Sequence, residues 1–79
     1  MSNEFKLKEV LNKILKIEIY SINDETSVDT VDIWDSLKHL NLVIALEEAF
    51  NITFTEEESV EIMSYPLIKA ILNEHGVII

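Results

Sequence analysis

The sequence has no cysteine, no arginine, and only one glycine and one proline in 79 residues. Without cysteine the chain can form no disulfide, thiolate zinc site or iron–sulfur cluster. The scarcity of glycine and proline leaves few turn signals, which favours helices. The longest apolar run, Leu42–Leu46, is far too short to span a membrane. Because 48% of the residues are hydrophobic, we expect residues 1–79 to fold as a single domain by packing alone.

The charge is strongly acidic, with 15 Asp and Glu residues against six lysines and a net charge of −9. Such a surface repels phosphate backbones, which argues against nucleic-acid binding. The acids are concentrated in residues 17–79, and an acidic body of this kind suits partner proteins with basic patches. The first residues contain neither the basic segment nor the apolar run of a secretory signal. We therefore expect a cytoplasmic monomer.

Apolar spacing predicts a first helix over Glu4–Lys16, with Asn3 as its N-cap. A second helix fits Ser36–Phe50, with Asp35 or Ser36 as its cap. The long loop between them, Ile19–Asp35, carries scattered apolar residues that predict attachment to the core.

Two further helices are predicted after the second. Thr55 and Glu58 match a capping box that starts a short third helix, from Glu56 to about Met63. Pro66 suits the first turn of a fourth helix, which ends at His75 and Gly76. The prediction is an all-α fold: a small four-helix bundle with three longer helices, a short third helix and a long loop between helices 1 and 2.

The second predicted helix is apolar on two opposite faces. One face is a core stripe of Leu42, Val43, Leu46, Ala49 and Phe50. The other face combines aliphatic residues with polar ones: Leu37, Leu40, Asn41, Ile44, Glu47 and Glu48. Both faces could be buried in a central helix, but unpaired carboxylates are seldom buried. We favour an exposed apolar strip rimmed by acid, which is typical of a protein-docking surface.

Ser36 lies at the predicted start of this helix, in the segment Trp34-Asp35-Ser36-Leu37. It could be a simple capping residue. A helix N-terminus also presents free N–H groups and the positive end of the helix dipole, which favour a phosphate. Ser36 could therefore hold a phosphodiester.

Two chemical sites are suggested by residue types and rejected on spacing. Asp35, Ser36 and His39 include the residue types of a hydrolase triad, but a triad needs a base aimed at the hydroxyl and a third group behind it. His39 falls toward the core side and is interpreted as a boundary residue. The loop acids match no calcium-loop spacing, and the required glycine is missing. These acids are Asp24, Asp29, Asp32 and Asp35. We expect neither catalysis nor a metal site.

Three segments together resemble an acyl carrier protein over nearly the whole chain. They are Asp35-Ser36-Leu37, Ala45-Leu46-Glu47-Glu48-Ala49-Phe50, and the run Ile52…Phe54…Glu56-Glu57-Glu58…Ile62. The triplet occurs often by chance, whereas its spacing to the other two segments is specific. The Trp-Asp-Ser-Leu form is more similar to stand-alone carriers of polyketide, peptide or surface-glycan biosynthesis. Carriers of fatty-acid synthases usually have a small residue at the position of Trp34, and acids where Lys38 and Asn41 stand.

The resemblance implies that Ser36 carries 4′-phosphopantetheine, attached by a phosphopantetheinyl transferase that uses coenzyme A and magnesium. An acyl or aminoacyl group then forms a thioester with this arm, which a ligase or transferase loads and downstream synthases use. The residues implied in partner docking are Asp35, Leu37, Leu40, Ile44, Glu47, Glu48, Glu56, Glu57 and Ile62. The alternative from a different class is an acidic helical adaptor that docks a partner through the same face and carries no prosthetic group.

Overall fold

The computed structural model describes residues 2–79 and contains four α-helices within them. They are α1 (Asn3–Leu15), α2 (Ser36–Phe50), α3 (Glu56–Glu61) and α4 (Tyr65–Glu74), and a short 3₁₀ turn, Ile19–Ser21, lies between α1 and α2. Residues 2–79 include no strand, only one isolated β-bridge between Ser27 and Ser64. The predicted small all-α bundle, with its short third helix and long first loop, is confirmed. None of the helices in this described range is long and apolar enough to cross a membrane.

Local side-chain caps fix where the helices begin. The capping box of α3 forms as predicted, with Glu58 N–H donating to Thr55 Oγ1 at 3.1 Å and Thr55 N–H donating to Glu58 Oε1 at 3.0 Å. The expectation that Asn3 caps α1 is wrong by one residue, because Ser2 Oγ accepts the Phe5 N–H at 3.1 Å. Asn3 is instead the first helical residue, and its side chain donates to the Ile78 carbonyl.

The third helix ends at Glu61, about one half-turn earlier than the sequence predicts. The reason is that the backbone beyond it pairs with the long loop. The Val28 N–H donates to the Met63 carbonyl at 3.0 Å, and the Tyr65 N–H donates to the Thr26 carbonyl at 2.8 Å. These bonds hold residues 63–64 in an extended connection between α3 and α4.

The core lies where α1, α2 and α4 meet. The fully buried residues of these three helices repeat at helical spacing, and are Leu7, Leu11 and Leu15 of α1, Leu42 and Leu46 of α2, and Ile68 and Leu72 of α4. The loop before α2 contributes the buried Ile22, Val31 and Trp34. The prediction that this loop is attached to the core is therefore confirmed.

Polar contacts connect both ends of α4 to the other helices. The Tyr65 hydroxyl donates to Glu4 Oε2 of α1 at 2.9 Å, which lowers the pKa of Glu4. Burial, and then the negative charge of Glu4, raises the pKa of Tyr65. At the other end of α4, His75 Nε2 lies 3.0 Å from both carboxylate oxygens of Glu58. Glu58 thereby caps α3 and also joins α3 to α4.

We expect Glu58 to make unfolding sensitive to acid. Its pKa is lowered from the ordinary value of 4.5, mainly by the hydrogen bond from the Thr55 N–H and next by that from His75. A lowered folded-state pKa gives stability that is present above the ordinary value and is lost as the pH falls through the folded value. Urea unfolding of the wild type should therefore show a falling midpoint from about pH 5 downward.

The control is Glu58→Gln, which keeps a capping-box side chain but removes the titrating group. Its urea midpoint should fall less steeply over the same pH range than that of the wild type. Parallel curves for the two proteins would contradict a role for the Glu58 carboxylate in acid unfolding.

Candidate functional site

Ser36 is the first residue of α2, and Asp35, not Ser36, caps the helix. Asp35 Oδ1 accepts the Lys38 N–H at 2.9 Å, whereas Ser36 is exposed. Of the two residues that the sequence suggests as the cap, Asp35 is therefore the one that caps α2. The N–H groups of Ser36 and Leu37 belong to the first helical turn and have no partner within the helix. Ser36 thus combines an exposed hydroxyl with adjacent free donors at the positive end of the helix dipole.

A groove of about 410 Å³ runs beside Ser36, where the long loop, α2 and α3 meet. Its lining residues are Val28, Trp34, Asp35, Ser36, His39, Val60 and Met63. Asp35 and Ser36 make its mouth polar, and the valines and Met63 supply apolar walls. Sequence reasoning missed this groove because its walls come from residues 28–63, and periodicity within one helix does not reveal such contacts.

His39, one of the lining residues, forms a hydrogen-bonded bridge between the long loop and α3. Its Nδ1 accepts the Trp34 Nε1–H at 3.1 Å, and its Nε2 bonds to the Ser59 carbonyl of α3. Since a carbonyl can only accept, Nε2 must carry the proton and Nδ1 must be the acceptor. The two rings also stack, with centroids 6.2 Å apart.

The hydrogen bonds of His39 argue against a hydrolase triad of Asp35, Ser36 and His39. Both ring nitrogens of His39 are engaged, so neither is available to take a proton from Ser36. No group of three or more His, Asp or Glu side chains in residues 2–79 is arranged to hold a metal ion. Ser36 therefore presents an exposed hydroxyl that His39 cannot deprotonate.

The predicted docking face of α2 is open to solvent. Leu37 is 65% exposed, Leu40 56% and Ile44 47%. The acids Asp35, Glu48, Glu56 and Glu57 are exposed as well. Val60 and Met63, which the sequence analysis did not include, add exposed apolar surface beside them. This apolar strip with acids around it is hereafter called the docking face.

Two residues of the predicted face have other roles. The assignment of Ile62 is wrong, because its side chain is fully buried in the core. A six-residue helix made mostly of acids needs an apolar anchor, and Ile62 at its end provides it. Glu47 is half-buried, and its Oε2 accepts the Phe54 N–H at 2.8 Å. One of its oxygens therefore stabilises the connection between α2 and α3.

The chain matches no protein-family model, and a comparison with curated proteins finds no significantly similar sequence.

Ile44 and Leu46 provide a matched test of the two faces of α2. Ile44→Arg should change the free energy of unfolding by no more than about 0.5 kcal/mol, as for ordinary surface positions. Leu46→Ala should destabilise the protein by about 2–5 kcal/mol, since it leaves a cavity among fully buried side chains. Urea unfolding of both variants gives the comparison. Equal losses would mean that α2 is buried on both sides.

Proposed function

We propose that this protein is a carrier protein that is modified on Ser36 with 4′-phosphopantetheine. On a separate phosphopantetheinyl transferase, the Ser36 hydroxyl would lose its proton to a base of that enzyme and attack the coenzyme A phosphorus that bears the pantetheine. The pyrophosphate bond would break and adenosine 3′,5′-bisphosphate would leave, so that phosphopantetheine remains on Ser36 as a phosphodiester. The group supplies a thiol, which the cysteine-free chain lacks, and with it a thioester linkage to acyl or aminoacyl cargo. The protein's own residues then present this cargo to partner enzymes and perform no chemistry themselves.

The observation that carries the proposal is the capping of α2 by Asp35. Because Asp35 performs that task, the Ser36 hydroxyl is not required for the stability of the helix. Its exposure allows a large transferase to reach it. The free N–H groups at the start of α2 and the helix dipole would stabilise the phosphate charge after attachment.

The docking face supports the same function. Leu37 and Leu40 lie within one helical turn of Ser36, so an enzyme acting at Ser36 would meet exposed apolar surface there. The surrounding acids and the net charge of −9 favour partners with basic patches. The proposed partners are the transferase, an acyl- or aminoacyl-loading ligase or transferase, and the downstream synthases.

The adaptor alternative uses the same docking face without any prosthetic group. The exposed strip of α2 is compatible with both functions, since it needs only a partner of complementary charge. The two functions differ at Ser36, because only a carrier requires its hydroxyl.

Incubation with coenzyme A, Mg²⁺ and a promiscuous phosphopantetheinyl transferase should add one phosphopantetheine to the wild type, as measured by intact mass. Ser36→Ala should abolish the addition, while the free energy of unfolding changes by no more than about 0.5 kcal/mol. Asp35→Ala should instead cost about 1 kcal/mol, because it removes the cap. Circular dichroism and urea unfolding of the two variants test this division of roles.

Ser21→Ala is the matched control, because Ser21 is also exposed but lies in the 3₁₀ turn. It should accept the group as the wild type does. If several promiscuous transferases leave the wild-type mass unchanged, the carrier function is wrong and the adaptor replaces it. If Ser36→Ala still gains the mass, the attachment site is wrong.

Ile44→Arg should slow cargo loading of the modified protein by a partner ligase, because it places a positive charge on the docking face. A loss of about tenfold corresponds to 1.4 kcal/mol of binding. The rate is measured from the mass of the loaded carrier, with Lys13→Arg on the exposed side of α1 as a control. Equal rates for the wild type and Ile44→Arg would contradict docking through this face.

A further inference from the structure

The most buried wall of the groove beside Ser36 is Trp34, which is hydrogen-bonded to His39. We propose that these two residues close the groove off from the helical core, so that cargo carried on the arm at Ser36 stays at the surface. The cargo is then a short acyl or aminoacyl group and not a long hydrocarbon chain. This inference rests on the proposed role of Ser36 as the attachment site, and names the class of cargo that the site accepts.

The lining of the groove shows where it ends. Its apolar walls are Val60 and Met63, which are exposed, and Val28, which is partly buried against the core. The first fully buried residue of α2, Leu42, and the one at the end of α3, Ile62, do not line it. Trp34, which is 5% exposed, is the most buried residue that does, and it is bonded to His39. The groove is therefore a surface feature and not the mouth of a core cavity.

The closure is held by hydrogen bonds that link three elements. Trp34 of the loop donates to His39 of α2, which donates to the Ser59 carbonyl of α3. A hydrocarbon chain passing between α2 and α3 would have to separate His39 from Ser59, and would leave the His39 Nε2–H and the Ser59 carbonyl unpaired. Each such unpaired group lowers the population of the open form by about 5- to 150-fold.

Further contacts keep α3 from moving away from α2. Glu58 is bonded to His75 of α4, and the Met63 carbonyl accepts the Val28 N–H of the loop. Ile62 anchors the end of α3 in a core whose side chains are fully buried. Close-packed interiors do not accept added methylene groups without displacement of side chains. A long chain would therefore remain outside, with most of its methylene groups in water.

The absence of cysteine allows a direct test that needs no transferase. Ser36→Cys places a single thiol at the mouth of the groove, which alkyl methanethiosulfonates convert into ethyl, butyl, octyl or dodecyl disulfides. Each methylene group that becomes buried should raise the Tm by about 3–6 °C. We expect the Tm to rise from ethyl to butyl and to differ by less than about 3 °C, one methylene group, between octyl and dodecyl. A Tm that climbs steadily up to dodecyl would overturn the closed groove.

Substitution of Trp34 tests what closes the groove. In the Ser36→Cys protein, Trp34→Leu removes the indole and its hydrogen bond, and should make the Tm increase from octyl to dodecyl. Trp34→Phe keeps most of the ring volume and serves as the milder variant if Trp34→Leu does not fold. Each series is compared with its own unmodified protein. If the Tm of both substituted proteins still differs by less than about 3 °C between octyl and dodecyl, Trp34 is not the closing residue and the proposal is wrong.

The outcomes for the groove and for the carrier function are separable. If the Tm is nearly the same for octyl and dodecyl but coenzyme A adds no mass to the wild type, the groove is closed and the carrier function is wrong. A mass gain with a steadily rising Tm would support the carrier but refute the restriction to short cargo.

Discussion

The hydrogen bonds from Trp34 through His39 to Ser59 determine how the region around Ser36 is arranged. They join the long loop, α2 and α3, which do not share one continuous apolar stripe. Without them, the loop would still be attached by its buried apolar side chains and by the backbone bonds of Thr26 and Val28 to residues 63–65. The third helix would be held by Glu58 and Ile62, and none of these contacts would join the loop to α3 through α2. With the hydrogen bonds of His39, the same three elements form a groove with a fixed floor, and the Ser36 hydroxyl lies at its mouth.

The third helix illustrates why such contacts are needed. With six residues, it is far too short to be stable alone, and four of the six are glutamates. Its structure depends on the capping box, on the contact of Glu58 with His75, and on the burial of Ile62. These contacts hold α3 at its start, through His75 and at its end. Val60 and the acids of α3 are therefore exposed to solvent while the helix stays packed on the bundle.

The acids of this chain divide into two groups with different roles. Asp35, Glu47 and Glu58 each accept a backbone N–H and fix the start of a helix or the turn before it. Glu48, Glu56 and Glu57 are exposed and available to a partner. The acidity of the sequence therefore serves both local structure and the proposed docking. Ser36 is not needed as the cap of α2, because Asp35, an acid of the first group, performs the capping.

The local features of this protein were determined by the sequence itself. The four helices, the Thr55–Glu58 capping box and the second apolar face of α2 follow from residues at most a few positions apart, since caps and helical faces are interactions within one or two turns. Tertiary structure alone decided that His39 bonds to Ser59 and His75 to Glu58, which lie 20 and 17 positions away along the chain. It also decided that Ile62 is buried while Val60 is exposed, because that choice depends on how α3 packs against the rest of the bundle. The groove beside Ser36 belongs to the same category, since its walls meet only when the loop, α2 and α3 come together.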